Sequence, residues 1–358
     1  MFRSLFIFLI VAFVWAEDFP ATNLRYVLIQ SGILNVRDKP VDGKVITKLN
    51  AGDKVTVLEN VESNYGWKKI KTASNVIGYV SDEFLGFYSI SEIQKGKLIG
   101  IVGAGDSADT MKKGALRILG GSFSGKWYGY DGNGDFSYFL NYLVKNKKSL
   151  DILENNLKVG TFKAESIAKY GCQEFKGIQG TAFPKQITSS NEILYLGTTG
   201  ILESNLKFTL SEKVTEIHLT NLLNEATKLF KNNKVTPKEL ENLSEKKVIQ
   251  INSGNGKSLL VARYAIKNEH AEKHYVSLVA EILKNDKLKI IHKKFESLEE
   301  ERGNYGGSFH FMGAIDVDGK GTPAIIFIHI GFDSTIYELF QIKENSIESL
   351  FVGGGDAC

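Results

Sequence analysis

Five residues between positions 35 and 79 have side chains that suit ligand binding at a protein surface. Three are aromatic, Tyr65, Trp67 and Tyr79, and offer flat apolar surface to a sugar or a peptide. Arg37 can contact a carboxylate through two parallel hydrogen bonds. Asn35 precedes it by two residues, so both side chains point to one face of an extended strand. We predict that these five residues form a ligand-binding surface.

For three of these residues a structural role is the alternative. Large aromatic side chains often fill the interior of small barrels, which favours a core position for Trp67 and Tyr79. Arg37 is also suited to bracing the loop that precedes Pro40. Tyr65 and Arg37 are therefore the pair that we expect to be exposed.

A second candidate is the loop Asp316-Val-Asp-Gly-Lys-Gly-Thr-Pro323, which carries two carboxylates at alternate positions. It resembles the Asp-x-Asp-Gly-x-Gly turns of integrin-type propeller repeats, which often bind calcium. Asp316 and Asp318 are the candidate ligands, but Lys320 stands where a third oxygen ligand is needed and brings a positive charge. A tight hairpin turn without metal is the default expectation.

No cofactor and no catalytic residue is predicted. Gly103, Gly105 and Ala108 have the glycine spacing of a dinucleotide-binding turn, but no acidic residue follows at the distance needed to hold a ribose. Gly256-Lys-Ser258 resembles the end of a phosphate-binding loop, but the motif's leading glycine is replaced by Ile251. No Ser, Cys or His lies in a signature that pairs a nucleophile with a base.

The elements that would position the first set of residues are short strands separated by tight turns, from residue 24 to residue 86. Apolar and polar residues alternate there, as in half-buried strands. Four sequence patterns recur in one known family: Leu34-Asn-Val-Arg-x-x-Pro40, Leu49-x-x-Gly-Asp-x-Val55, Gly66-Trp67 and Gly78-Tyr-Val80. By these patterns the segment resembles the bacterial SH3-like domain. The resemblance implies a small β-barrel of the kind found in exported bacterial proteins, where several members bind cell-wall peptides or glycan.

The first sixteen residues have the layout of a secretory signal peptide. Arg3 supplies a positive charge, residues 5–15 are uniformly apolar, and Glu17 begins a polar chain. The apolar run is shorter than the ~20 residues that a spanning helix needs. We predict cleavage after Ala16, no membrane span in the mature chain, and a periplasmic or secreted location.

The chain has 2 cysteines, Cys172 and Cys358. In an oxidising compartment they can pair, and closing so long a loop would stabilise the fold by ~4–5 kcal/mol. Two separate buried thiols are the alternative. We predict the disulfide.

Residues 97–358 are predicted to form a larger, antiparallel β-rich domain with a few helices, with a possible subdivision near residue 245. Amphipathic patterns predict helices over 137–147 and 221–231, and Thr236-Pro-Lys-Glu239 is a capping box that opens a short helix. Sequential strands with short links predict an antiparallel meander in the last third. The tail from Gly353 is expected to be flexible unless Cys358 is bonded. The whole chain is predicted to be mainly β, of the α+β class.

Charge excludes one class of partner. The 44 basic and 41 acidic residues are mixed along the chain, so nucleic acid is not implied. The leading hypothesis is an exported, non-enzymatic cell-envelope protein whose SH3-like domain binds a cell-wall component or an envelope protein. The alternative is a hydrolase of the cell wall or another extracellular polymer, with the SH3-like domain as its targeting module. A calcium-dependent adhesion domain ranks third.

Overall fold

A computed structural model describes residues 23–60, 66–103, 114–170, 175–184, 195–201, 208–253, 256–267, 272–297, 308–330 and 334–357. These ranges contain four antiparallel sheets and four α-helices. The prediction of a mainly β chain of the α+β class, with the SH3-like unit at its N-terminal end, is confirmed.

Some predictions fall outside the described residues. The predicted signal peptide lies there, as do Tyr65, Cys172 and Cys358. Cleavage after Ala16 and the disulfide therefore stay predictions. None of the helices in the described ranges is long and apolar enough to cross a membrane.

The N-terminal unit is one curled sheet of seven strands in the order β3-β2-β6-β5-β4-β1-β7. The strands are β1 Leu24–Val27, β2 Leu34–Arg37, β3 Val45–Leu49, β4 Lys54–Asn60, β5 Trp67–Thr72, β6 Ile77–Ser81 and β7 Leu85–Gly86. A single 3-10 turn, Asp82–Phe84, precedes β7. The buried core consists of nine aliphatic residues: Val27, Ile29, Leu34, Val36, Leu49, Val55, Ile70, Val80 and Leu85.

A closed six-stranded barrel follows, in the ring order β8-β9-β13-β12-β11-β14. Its strands are β8 Lys97–Val102, β9 Ala115–Phe123, β11 Ser149–Glu154, β12 Leu157–Tyr170, β13 Phe175–Phe183 and β14 Leu196–Thr199. Strand β8 closes the ring because Leu98 pairs with both Gly121 of β9 and Thr199 of β14. The short strand β10, Lys126–Gly129, extends β9 as a hairpin.

Helix α1, Ile90–Gln94, links the SH3-like unit to this barrel in the chain, and helix α2, Gly134–Lys145, between β10 and β11, packs against both. Helix α1 begins at Ser89, whose side chain forms a capping box with Glu92. Helix α2 packs its aromatic face against the barrel strands. The predicted start of α2 at residue 137 is three residues after the observed start at Gly134. Gly134 and Asp135 are not apolar, so the amphipathic pattern did not include them.

The last third contains two antiparallel meanders, so that prediction is confirmed. The first sheet comprises β15 Thr209–Ser211, β16 Leu243–Asn252, β17 Ser258–Lys267, β18 Glu272–Ile282 and β19 Leu288–Ser297. The second comprises β20 Ser308–Ile315, β21 Ala324–Ile330, β22 Ser334–Ile342 and β23 Ile347–Ala357. Helix α3, Glu216–Asn232, and helix α4, Pro237–Leu240, lie between β15 and β16, and the capping box of α4 is present as predicted.

These elements stack in layers. Helix α3 covers one face of the five-stranded sheet through Leu222 and Leu278. The other face of that sheet meets the four-stranded sheet, where Val279 and Phe327 share a core. The opposite face of the four-stranded sheet packs on the barrel. The central strands of these layers are therefore covered on both faces, which explains the long apolar runs of β17 and β21.

The C-terminal tail is a strand and not a flexible end. Strand β23 crosses the barrel beside β9 and β10, and its glycines allow backbone to approach backbone. A Cβ on Gly129 would lie 1.8 Å from the Val352 carbonyl oxygen. Residues 353–357 are therefore ordered as part of β23, and the condition attached to the expected flexibility, a bond from Cys358, lies outside the described residues.

Candidate functional site

The alternation of strands β2, β5 and β6 separates the SH3-like unit into an inner and an outer surface. In β2, Leu34 and Val36 are buried, whereas Asn35 and Arg37 are half-buried and face outward. In β5 and β6 the buried residues are Ile70, Thr72, Gly78 and Val80. The outward positions of these three strands are Asn35, Arg37, Trp67, Lys69, Lys71, Ile77, Tyr79 and Ser81, which we call the outer face.

Strand register brings the predicted site residues together on the outer face. Tyr79 pairs with Arg37 on one side and with Lys69 on the other, so these three form one row. Trp67 pairs with Ser81 in the adjacent row. Directly paired residues of an antiparallel sheet lie ~4.5–5.5 Å apart and share a face. The four described members of the predicted site are therefore neighbours, and Tyr65 lies in the undescribed segment just before Trp67.

The expectation that Trp67 and Tyr79 fill the barrel core is wrong. Both side chains are half-buried, and neither belongs to the core, which is entirely aliphatic. Their ring faces are part of the outer surface because they share strand parity with Arg37 and Lys69. Both aromatic side chains therefore lie on the outer face and outside the core.

Arg37 performs the bracing role that was its alternative. Its Nη1 donates a hydrogen bond of 2.6 Å to the carbonyl oxygen of Gly43. The same loop is held by Asp38, whose carboxylate accepts from the backbone N–H of Lys44 at 2.8 Å. The hydrogen bond from Arg37 to Gly43 fixes the guanidinium beside Tyr79. A fixed guanidinium loses less conformational entropy on binding a ligand than a freely rotating one.

The outer face is positively charged. Its outward positions on β2, β5 and β6 carry Arg37, Lys69 and Lys71 and no acidic residue. Lys48 of β3 adds a further positive charge, since it pairs with Asn35. A surface with this charge favours ligands that carry carboxylates.

The Asp316–Pro323 loop is a hairpin turn between β20 and β21, as its default interpretation predicted. Asp316 is 1% exposed. Its two carboxylate oxygens accept the backbone N–H groups of Gly319 at 2.9 Å and Gly321 at 2.7 Å. Asp318 accepts from Lys320 N–H and from the Gln341 side chain. These hydrogen bonds give both carboxylates a role in the turn. Within the described ranges no group of three potential ligands is placed to hold a metal.

Asp316→Ala should lower the free energy of unfolding by about 1–3 kcal/mol, because it leaves the buried backbone N–H group of Gly321 without an acceptor. Thermal melting with and without calcium measures this. The control is Asp318→Ala, whose side chain is 26% exposed and which should change the melting temperature much less. A calcium-dependent rise in melting temperature that disappears in Asp316→Ala would contradict the structural role and support a metal site.

The structure also contains a large cleft that the sequence did not predict. Its volume is about 1340 Å³, and its walls come from the β9–β10 hairpin, the edge strand β19, and strands β21 to β23. At its base His329 Nε2 lies 3.1 Å from Glu338 Oε2, and Lys294 Nζ lies 2.5 Å from Glu296 Oε1. We call these four residues the charged cluster.

Burial shifts the pKa of two members of the charged cluster, Glu296 and Lys294. Desolvation raises the pKa of Glu296, as does the charge of Glu338, while the charge of His329 opposes the shift. Desolvation likewise lowers the pKa of Lys294. Perturbed groups that converge in a cleft are typical of functional sites, although structural ion pairs also produce them.

No motif could have revealed the charged cluster, because its members come from three strands. One local signal was present. Lys294 and Glu296 alternate with Phe295 on β19, so charged residues occupy the strand face opposite to the one that packs on helix α3. Only the stacking of the two sheets shows that this face lines a cleft.

Comparison with known families agrees with the geometry of the N-terminal unit. The family model described as the bacterial SH3 domain matches residues 32–86. No curated protein is similar enough to the chain to count as a match. Residues 32–86 of this chain therefore carry a bacterial SH3 domain, as the sequence patterns indicated.

Proposed function

We propose that this chain is an exported, non-enzymatic cell-envelope protein whose SH3 domain binds a cell-wall component through its outer face. The row formed by Arg37, Tyr79 and Lys69, with Trp67 beside it, is the observation that carries the proposal. The family match supports it, since bacterial SH3 domains are commonly wall-binding modules. The signal-like sequence of residues 1–16 supports a location outside the cytoplasm.

The chemistry of the outer face favours a peptide that carries carboxylates. The half-buried rings of Trp67 and Tyr79 offer apolar surface at low entropic cost, since each has only two side-chain torsions. Arg37, Lys69 and Lys71 supply positive charge around those rings. A stem peptide of the cell wall has an extended backbone, which suits the two rings, and free carboxylates, which suit the positive charges. This is the ligand we propose.

The organisation that we propose follows from this role. Residues 1–16 act as a signal peptide, residues 24–86 bind the wall, and residues 97–358, with a subdivision near 245, form the body that the domain anchors. The periplasm or the extracellular space is the proposed location. N-terminal sequencing of protein recovered from the envelope fraction would give Glu17 as the first residue.

Retention on purified peptidoglycan tests the proposal. Tyr79→Ala should weaken retention of the mature protein about tenfold, equivalent to ~1.4 kcal/mol, because it removes the central ring of the outer face. Lys71→Glu should weaken it as well and reduce its salt dependence.

Ile33→Ala is the matched control, because Ile33 is 49% exposed in the same domain but lies outside the outer face. It should bind normally. Normal retention of both Tyr79→Ala and Lys71→Glu would rule out the outer face as the binding surface.

The cleft gives one specific reason to keep the hydrolase as a second candidate. Two carboxylates, Glu296 and Glu338, converge there beside His329 and Lys294, and paired carboxylates are the groups that cleave glycosidic bonds. Release of dye from labelled cell walls by the mature protein, abolished in Glu296→Gln, would favour this function over a purely binding role.

A further inference from the structure

The cleft is larger than a typical metabolite-binding site. Small-molecule sites usually enclose about 300–1,000 Å³, whereas this cleft measures about 1340 Å³. It is bounded by three separate parts of the fold, the barrel hairpin β9–β10 and one edge of each C-terminal sheet. An open groove of this size suits a segment of a polymer.

The charges that line the cleft balance one another. The lining contains four lysines and four acidic residues, together with one histidine. Besides the two contacts within the charged cluster, Lys343 Nζ lies 3.1 Å from Glu348 Oε2 and Lys320 Nζ lies 3.8 Å from Asp318 Oδ2. The remaining lysine, Lys126, lies 5.6 Å from the ring centre of Tyr128. The cleft therefore presents many hydrogen-bonding groups but no net charge that would attract an ion.

An aromatic wall completes this lining. Trp127 is half-buried on the edge strand β10, and its ring lies 6.1 Å from that of Phe351. Phe351 is 7% exposed and belongs to the core cluster against which Trp127 packs, so one side of the indole is supported. A held aromatic ring beside paired charges suits the apolar face and the hydroxyl edge of a sugar ring.

Burying the polar groups next to the charged cluster destabilises the fold. This cost argues against a purely structural role for the cluster. Glu338 is 5% exposed between the two sheets. On the neighbouring strand β18, Tyr275 pairs with Glu296, and Ser277 pairs with Lys294. Neither the Tyr275 hydroxyl nor the Ser277 hydroxyl has a hydrogen-bond partner among the described residues, and each such group costs about 1–3 kcal/mol. An apolar seam here would be more stable.

We propose that the cleft between the β9–β10 hairpin and the two C-terminal sheets binds a segment of a neutral oligosaccharide, with Trp127 stacking on a sugar ring and the charged cluster bonding its hydroxyls. Each hydroxyl both donates and accepts, so one sugar can bridge a lysine and a glutamate of the same ion pair. The inference does not depend on the ligand of the SH3 domain, because the two surfaces belong to different parts of the fold.

Calorimetric titration of the full mature chain tests this. The probes are the neutral tetramers of β-1,4-linked N-acetylglucosamine, glucose and mannose, with anionic tetragalacturonate as the charged comparison. We expect at least one neutral tetramer to bind more tightly than tetragalacturonate. Trp127→Ala should weaken that binding at least tenfold, and Glu338→Gln should weaken it as well.

Two further variants separate the cleft from other causes. Ser349→Trp places a bulky ring at an exposed position of the lining, so it should block binding while the fold and its melting temperature are retained. Trp67→Ala alters the SH3 outer face and should leave the affinity unchanged. The proposal is overturned if none of the neutral tetramers binds, if Ser349→Trp binds normally, or if Trp67→Ala abolishes binding.

Discussion

Asp135→Ala is expected to lower the free energy of unfolding by about 3–5 kcal/mol. Asp135 is 1% exposed in the first turn of helix α2. Its carboxylate accepts the backbone N–H of Phe87 at 3.0 Å and that of Tyr88 at 3.2 Å. The substitution leaves one buried N–H group, that of Tyr88, and one half-buried N–H group, that of Phe87, without acceptors, at about 1–3 kcal/mol each. Because Phe87 and Tyr88 directly follow the SH3 domain, the change also loosens the link between that domain and the barrel.

The same carboxyl group should make stability depend on pH. Burial raises the pKa of Asp135 from 3.8 to about 6, outweighing the two N–H donors and the charge of Arg25, which lower it. The folded chain therefore holds the proton more tightly than the unfolded chain. The stabilisation is fully present below pH ~4 and is lost as the pH rises through about 6. A shift of about two pKa units corresponds to roughly 3 kcal/mol.

Urea unfolding between pH 4 and pH 7 measures this effect. Asp135→Asn cannot ionise, so its stability should fall less steeply over that range than the stability of the unmodified chain. Asp42→Asn is the control, because Asp42 lies on the surface with its side chain 77% exposed, and it should keep the original slope. An unchanged slope in Asp135→Asn would show that another group is responsible.

The SH3 domain could be predicted from sequence because its signals are local. Strand parity depends on neighbours two positions apart, so Asn35 and Arg37 were placed on one face correctly. The same rule applied to β5 would have corrected the error on Trp67. Trp67 shares parity with Lys69 and Lys71, whereas Ile70 lies on the other face. General preference for aromatic residues in barrel cores was weaker evidence than this alternation.

The closed barrel and the cleft could not be predicted, because both depend on pairing between distant segments. Alternation identified many of the individual strands, but nothing local shows that Leu98 pairs with Thr199. Likewise, Lys294 and Glu338 lie on different sheets and meet only when the two meanders stack. The tail depends on distant contacts in the same way: the glycine run from Gly353 favours flexibility in isolation, yet the lack of a side chain at Gly353 permits dense packing on Gly129 and Tyr130 of the barrel hairpin.

Gly129→Ala should be the most disruptive single-methyl change in the cleft wall. The added Cβ would lie 1.8 Å from the Val352 carbonyl oxygen and 3.1 Å from the Gly353 Cα, both backbone atoms of β23. Backbone cannot rotate away as a side chain can, so strand β23 must move off the barrel. Overpacking typically costs ~1–3 kcal/mol and occasionally more, and we expect at least 3 kcal/mol here because a whole strand is displaced.

Gly125→Ala on the same hairpin is the control, because it tests the loss of glycine's backbone freedom without any close contact. Gly125 has φ +83° and nothing within 4 Å of an added Cβ, so this variant loses only the left-handed preference, about 1–2 kcal/mol. Gly129→Ala should unfold at lower urea concentration than Gly125→Ala. It should also lose oligosaccharide binding, because Phe351 and Val352 line the cleft and move with β23. Equal stability of the two variants would mean that β23 accommodates the methyl group, and that the backbone contact at Gly129 does not hold the cleft wall in place.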